Sequence, residues 1–225
     1  MKRILLIATT ILALTPAAAS AQATVLGAAA SANASCPADC LVEARVTGFQ
    51  TSIGNAKNPF IAPTDGQIVS WAIKLGKPKK KDVRAFNKAF GPPQARLSIL
   101  RPVRGTRKPV RYKLLRQSPV QRLGKSLGKI STFNVPTPLA VKKGQVVALT
   151  IPTWAPAFAV GQARKTKWQA SRRATKKRGA CTDDEGRANV KAGAAQTKKG
   201  TQRPYGCTYN GARLLYTATF VADRL

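Results

Sequence analysis

From Ile68 the chain reads Ile-Val-Ser-Trp-Ala-Ile-Lys-Leu, which puts Val69, Trp71, Ile73 and Leu75 on one side and Ser70 and Lys74 on the other. Successive side chains of an extended chain point to opposite faces, so this period of two dictates a half-buried β-strand. The same alternation returns at Leu97 and Ile99, and at Val110, Tyr112 and Leu114 with Arg111 and Lys113 facing out. It appears again at Val147, Leu149 and Ile151, at Val42, Ala44 and Val46 within 41–49, and at Tyr216 and Phe220 within 214–221. No stretch carries a long 3.6-residue pattern, and helix is expected to be minor.

Turn signals separate these runs. Asp65-Gly66 precedes the Trp71 strand, Lys142-Lys143-Gly144 precedes the Val147 strand, and Asn210-Gly211 precedes the last one. Asn-Gly is the strongest hairpin signal of the three, because both residues tolerate positive φ. Many short strands with Gly and Pro turns predict an all-β protein, an antiparallel β-sandwich. Strand-forming runs at both chain ends make it jelly-roll-like, with early and late strands paired.

The segments "PFIAPTDGQIVSWAIKL", "ARLSILRPV" and "PLAVKKGQVVALTIP" share an Asp-Gly turn, a tryptophan strand and a Val-Lys-Lys-Gly hairpin before an apolar strand. Over roughly residues 59 to 152 the pattern resembles secreted bacterial β-sandwich proteins. The resemblance implies the fold and carries no assigned activity.

The chain begins Met1-Lys2-Arg3, continues with a mostly apolar run from Ile4 to Leu14, and reaches the small residues Ala17 to Ala23. A positive start, an apolar core of about 11 residues and an Ala-x-Ala site describe a secretory signal peptide over 1–21, cleaved near Ala21. The run is too short for the roughly 20 apolar residues that span a bilayer. Residues 22–35, rich in Ala and Ser, are expected to be a flexible leader, and 36–225 a single β-sandwich domain with a basic loop insertion at 164–203. The protein is therefore expected to be secreted or associated with the cell envelope, with no transmembrane segment in the mature chain.

Export changes the meaning of the cysteines and of the charge. Cys36, Cys40, Cys181 and Cys207 make an even number in an oxidising compartment, so disulfides are expected, Cys36 with Cys40 and Cys181 with Cys207. A zinc site fits poorly, since the chain has no histidine, the Cys181–Cys207 spacing is not that of a knuckle, and positive surroundings repel a dication. Thirty-nine Lys and Arg residues face eight Asp and Glu, a net charge of +31. Such a surplus attracts polyanions of any kind.

Two basic stretches stand out: Lys79, Lys80 and Lys81 in "KPKKKDVR", and "KWQASRRATKKRGAC" with Lys167, Trp168, Arg172, Arg173, Lys176, Lys177 and Arg178. Both are expected to be loops that attract anions diffusely, with Trp168 either a stacking platform or a pin holding its loop to the sandwich. If strands alternate in direction, 76–94 and 118–128 share one end of the sandwich, and 102–109 and 136–144 the other, with Arg104, Arg107 and Lys143.

No set of residues specifies catalysis. "GKSLG" places Ser126 in a Gly-x-Ser-x-Gly pattern, but the chain has no histidine base. Glycoside cleavage needs two carboxylates, and Glu43 is expected on an outward face, Asp65 in a turn, and Asp183-Asp184-Glu185 among offsetting cations. The expected function is noncatalytic association, without cofactor or metal, with anionic extracellular or cell-envelope polymer or acidic polysaccharide. A structural or protein-interaction module and an unrecognised hydrolase are the alternatives. Export argues against a dedicated nucleic-acid reader.

Overall fold

The computed structural model describes residues 23–27, 43–105, 109–173, 181, 193 and 195–223. The signal-peptide segment 1–21, Cys36, Cys40, Arg107, Lys176, Lys177, Arg178 and the acidic run 183–185 lie outside the described residues.

Among the described residues the strands are β1 (Ala23–Leu26), β2 (Glu43–Ile53), β3 (Ala56–Lys57), β4 (Gly66–Lys74), β5 (Gln94–Pro102), β6 (Arg111–Gln117), β7 (Gln121–Arg122), β8 (Ile130–Val141), β9 (Val146–Ala155), β10 (Phe158–Ala159), β11 (Lys167–Ala170), β12 (Gln202–Pro204), β13 (Cys207–Asn210), β14 (Arg213–Leu214) and β15 (Tyr216–Ala222), with an α-helix, α1 (Lys80–Phe90), and a single 3-10 turn at Gly124–Ser126. They form an all-β antiparallel sandwich. One sheet runs β1-β15-β4-β8; the other runs β12-β6-β5-β9-β2-β11-β13, with β3 on β2 and β7 on β5; β10 and β14 form a short separate ladder.

The alternating residues meet between the sheets. Trp71, Ile73, Tyr216 and Phe220 from the first sheet pack against Leu97, Ile99, Val147, Leu149 and Ile151 from the second. Tyr216 also bridges the layers, stacking on Phe60 with ring centroids 4.1 Å apart and donating from its hydroxyl to Val147 O at 2.9 Å. Ile68, not Val69, joins Trp71 in the core, because the β4–β8 register shifts between Ile68 and Ser70. An extra residue in a ladder bends the strand and re-aims its side chains.

β9 is buried on both faces. Val146 and Ala148 point away from the first sheet into a second cluster with Phe49, Leu100, Leu114 and Tyr205. Gln196 helps cover this face: its N–H donates to Thr47 Oγ1 at 2.9 Å, and its side-chain carbonyl accepts from Tyr205 Oη at 3.0 Å. Thr47, Thr150 and Ser98 continue the buried chain of hydroxyls, at 2.9 and 2.6 Å. The expected basic loop at 164–203 is thus part of the sandwich at both ends. Residues 167–170 form β11 between β2 and β13, and 202–204 form β12 on β6.

Other expectations change as well. Ala23–Leu26, read as leader, pairs antiparallel with β15, and Leu26 is buried. Early and late strands therefore pair through β1 and β15, while β2 lies in the opposite sheet. Neither Asn210-Gly211 nor Lys142-Lys143-Gly144 closes a hairpin: the first leads from β13 to β14, which pairs with β10, and the second carries the chain from β8 in one sheet to β9 in the other.

The basic stretch at Lys79–Lys81 leads into α1 instead of remaining a loop. Its apolar Val83, Phe86 and Phe90 recur at helical spacing, and Gly91, at φ 85°, ends it with its N–H on Asn87 O. Phe86 packs on Trp154 at 5.0 Å, and Trp154 Nε1 donates to Asn87 Oδ1 at 3.1 Å and to Gly91 O at 2.9 Å. Arg45 lies over the Phe90 ring at 5.4 Å. Among the described residues no helix is long and apolar enough to cross a membrane.

Candidate anion-binding cleft

Where the β5–β6 turn and the β8–β9 turn approach each other, a cleft of about 730 Å³ opens. Its cations are Arg101 from the end of β5, Arg104 from the first turn, Lys113 from β6, and Lys142 and Lys143 from the second turn; Gln145 and Gln202 add amides. This is the end of the sandwich to which strand alternation assigned 102–109 and 136–144.

Two elements fix the cleft's geometry. Antiparallel register sets Arg101 directly opposite Lys113 on β5 and β6, and Lys113 opposite Gln202 on β12, so three polar side chains form a row across adjacent strands. On the other side, Asp65 shapes the crossover turn. Its Oδ2 accepts from Lys142 Nζ at 2.9 Å and its Oδ1 from the Lys143 backbone N–H at 2.8 Å. Gln145 Oε1 also accepts from Lys142 N at 3.1 Å, and Gly144 takes φ 81°, a conformation that suits glycine. The bond from Lys142, reinforced by the Lys143 N–H, holds the Asp65 carboxyl below its usual range, and the same bond raises Lys142.

Asp65 is thereby committed to the turn. Among the described residues no ion pair links Arg101, Arg104, Lys113 or the Lys143 ammonium to a carboxylate. Like charges directly opposite on neighbouring strands destabilise a sheet. The Arg101–Lys113 pair is therefore an arrangement that an anion would relieve.

The residues singled out in the sequence fall elsewhere. Lys79, Lys80 and Lys81 are exposed, but at the α1 end. β9 runs from the cleft at Gln145 to α1 at Trp154, a span of about 30 Å at the usual strand rise. Lys167 is exposed at the start of β11, and Arg173 is exposed beyond its other end.

Trp168 and Arg172 are corrections. Trp168 is 0% exposed. It stacks on Tyr209 at 4.4 Å and meets Phe158 edge-on at 6.0 Å. Gly48 makes room for it: a Cβ there would lie 2.7 Å from the indole ring. Trp168 is thus the pin of its segment and offers no face to a ligand. Arg172 is 3% exposed and donates to Tyr209 Oη at 2.8 Å, Glu43 Oε2 at 3.2 Å and Ala44 O at 3.2 Å. Glu43, expected to face outward, is buried with it. Burial pushes the Glu43 carboxyl up and Arg172 partly offsets this; burial opposes the Arg172 charge, but Glu43 and Tyr209 more than compensate and raise it.

Cys181 and Cys207 form the expected disulfide, joining residue 181 to β13 near the Arg172 end of β11. No three His, Cys, Asp or Glu side chains converge among the described residues. Arg101, Lys113 and Lys142 were missed from the sequence, because each is one charge in an ordinary strand or turn until the register brings them together. Comparison with protein-family models, curated proteins and solved structures finds no match for the chain.

Proposed function

We propose that the protein is a noncatalytic, exported β-sandwich that associates with anionic extracellular or cell-envelope polymer, and that the cleft between the β5–β6 and β8–β9 turns is its principal contact. The observation that carries this reading is the set Arg101, Arg104, Lys113 and Lys143, gathered from two strands and two turns without a carboxylate partner among the described residues. Clustered cations with no internal counterion bind counterions from outside, and exchanging these for a polymer's charges favours association. Export is supported by the signal-peptide pattern of residues 1–21 and by the Cys181–Cys207 disulfide, a bond that persists in oxidising compartments.

Retention of the purified protein on isolated cell wall, acidic polysaccharide and DNA across a salt gradient tests the reading. Salt-labile retention on wall and polysaccharide is expected, weakened by Arg101→Gln with Lys143→Gln more than by Lys80→Gln with Lys81→Gln. Absence of retention at low salt, or retention indifferent to salt, would sink it.

A further inference from the structure

We infer that the opposed pair Arg101 and Lys113 is the seat of a phosphomonoester dianion, so that the cleft selects ligands carrying terminal phosphate over those carrying carboxylate or phosphodiester. The inference rests on the cleft proposed above as the anion contact and adds the chemistry of its ligand.

The register supplies the argument. Arg101 and Lys113 are cross-strand partners, and Gln202 is the partner of Lys113 on its other side. Neighbouring strands lie about 4.8 Å apart, so the bases of the two cationic side chains are held at roughly that distance. One carboxylate offers a single charge and two oxygens, a match for the fork of one guanidinium. Two cations so placed call for an anion with more charge and more acceptors on one compact centre. A phosphomonoester carries close to two charges at neutral pH and three strong acceptor oxygens, so the Arg101 fork and the Lys113 ammonium can share it. A phosphodiester has one charge and two free oxygens and leaves one of the cations uncompensated.

The rest of the cleft fits a ligand larger than the phosphate alone. Its volume of about 730 Å³ lies within the range of small-molecule sites. Arg104 and Lys143 stand ready for a second anionic group, whereas Lys142 is engaged with Asp65.

Among the described residues, the charged groups that line the cleft beside the pair are Arg104, Lys142 and Lys143, with Asp65, Asp223 and Arg116 acting on Lys142. Lysine, arginine and carboxylate side chains ordinarily change charge outside the interval from about pH 5 to 7.5. The chain has no histidine. Any pH dependence of binding in that interval therefore reports the second ionisation of the ligand, near pH 6 for a phosphomonoester.

The test is calorimetric titration of the protein with glycerol phosphate, dimethyl phosphate and lactate at fixed ionic strength. Glycerol phosphate is expected to bind at least tenfold more tightly than dimethyl phosphate or lactate at pH 7.5. It should weaken about tenfold by pH 5, following the loss of dianion. Arg101→Gln and Lys113→Gln should each weaken it tenfold or more, and Lys80→Gln at the far end should leave it unchanged. Vesicles separate the sources of the group: preference for phosphatidic acid over phosphatidylglycerol assigns a lipid headgroup, and preference confined to free glycerol phosphate assigns a soluble or polymer-borne phosphate. Equal binding of monoester and diester, or indifference to both substitutions, overturns the inference. If that happens while wall retention stays salt-labile, polymer association stands without phosphate selectivity; if wall retention is itself absent, the broader reading has failed first.

Discussion

Arg172 and Glu43 form an ion pair inside the protein, Nη2 to Oε2 at 3.2 Å, between residues 129 positions apart. The pair ties the end of β11 to the start of β2, and Tyr209 completes it by accepting from Arg172 Nη1 and lying under the guanidinium. A buried pair adds little over a well-packed apolar one, because both ions have left water. Losing one partner is a different matter, since the other charge is then stranded.

Arg172→Ala is accordingly expected to lower stability by about 3–5 kcal/mol. Urea unfolding followed by tryptophan fluorescence measures it. Arg172→Met combined with Glu43→Leu should recover most of that loss. A single substitution within 1 kcal/mol of wild type would show that the pair is dispensable.

The difference between this arginine and its neighbours explains how far the sequence could be read. Trp71, Ile73, Leu97 and Leu149 were legible because a sheet face repeats every two residues and each strand carries that signal locally. The same signal was present in Lys167-Trp168-Gln169-Ala170, where Trp168 and Ala170 are buried and Lys167 is exposed, but the surrounding lysines and arginines masked it. Val83, Phe86 and Phe90 were hidden in the same way beside the Lys79–Lys81 run. Arg172 was not legible, since its burial depends on Glu43 far away in the chain. The cleft was legible only as two turns at one end. The opposition of Arg101 and Lys113 depends on the β5–β6 register, which shifts between Ile99 and Leu100, and no local pattern encodes that shift.

The helix makes a separate prediction. An isolated helix of 11 residues is marginal in water, so α1 owes its stability to its docking on Trp154. Phe86→Ala removes the ring that packs there and is expected to release the helix while leaving the sandwich folded. Hydrogen exchange should show amides 80–90 losing protection while those of β5 and β9 keep theirs. Loss of protection throughout would mean that α1 is integral to the sandwich.

The disulfide should act on stability and leave the cleft alone. It closes a sequence separation of 26, for which the chain-entropy model gives about 3.5 kcal/mol. Cys181→Ala with Cys207→Ala is expected to lose about that much in urea unfolding, and reductant should bring wild type toward the same midpoint. Anion binding by the folded double variant should be unchanged, because neither cysteine lines the cleft. Weakened binding would place the segment around Cys181 in contact with the ligand.

Alkaline pH probes the link between the sheets. Burial holds the Tyr216 hydroxyl well above its ordinary value of 10.0, and the hydroxyl donates to Val147 O. A group whose folded pKa is raised contributes stability that is fully present below its unfolded pKa and is lost as pH rises through the folded value. In Tyr216→Phe this contribution is absent at every pH, and at neutral pH the variant should be less stable by about 1 kcal/mol, the worth of one hydrogen bond. Above pH 10 the unfolded wild type ionises at this tyrosine while the folded protein resists. The wild type's advantage should therefore shrink by up to about 1.4 kcal/mol per pH unit and then reverse. Denaturant midpoints of the two proteins, compared from pH 8 to 11.5, measure the difference free of the common effect of lysine deprotonation. An advantage that stays constant across that range would mean that Tyr216 ionises as readily in the folded protein as in the unfolded chain.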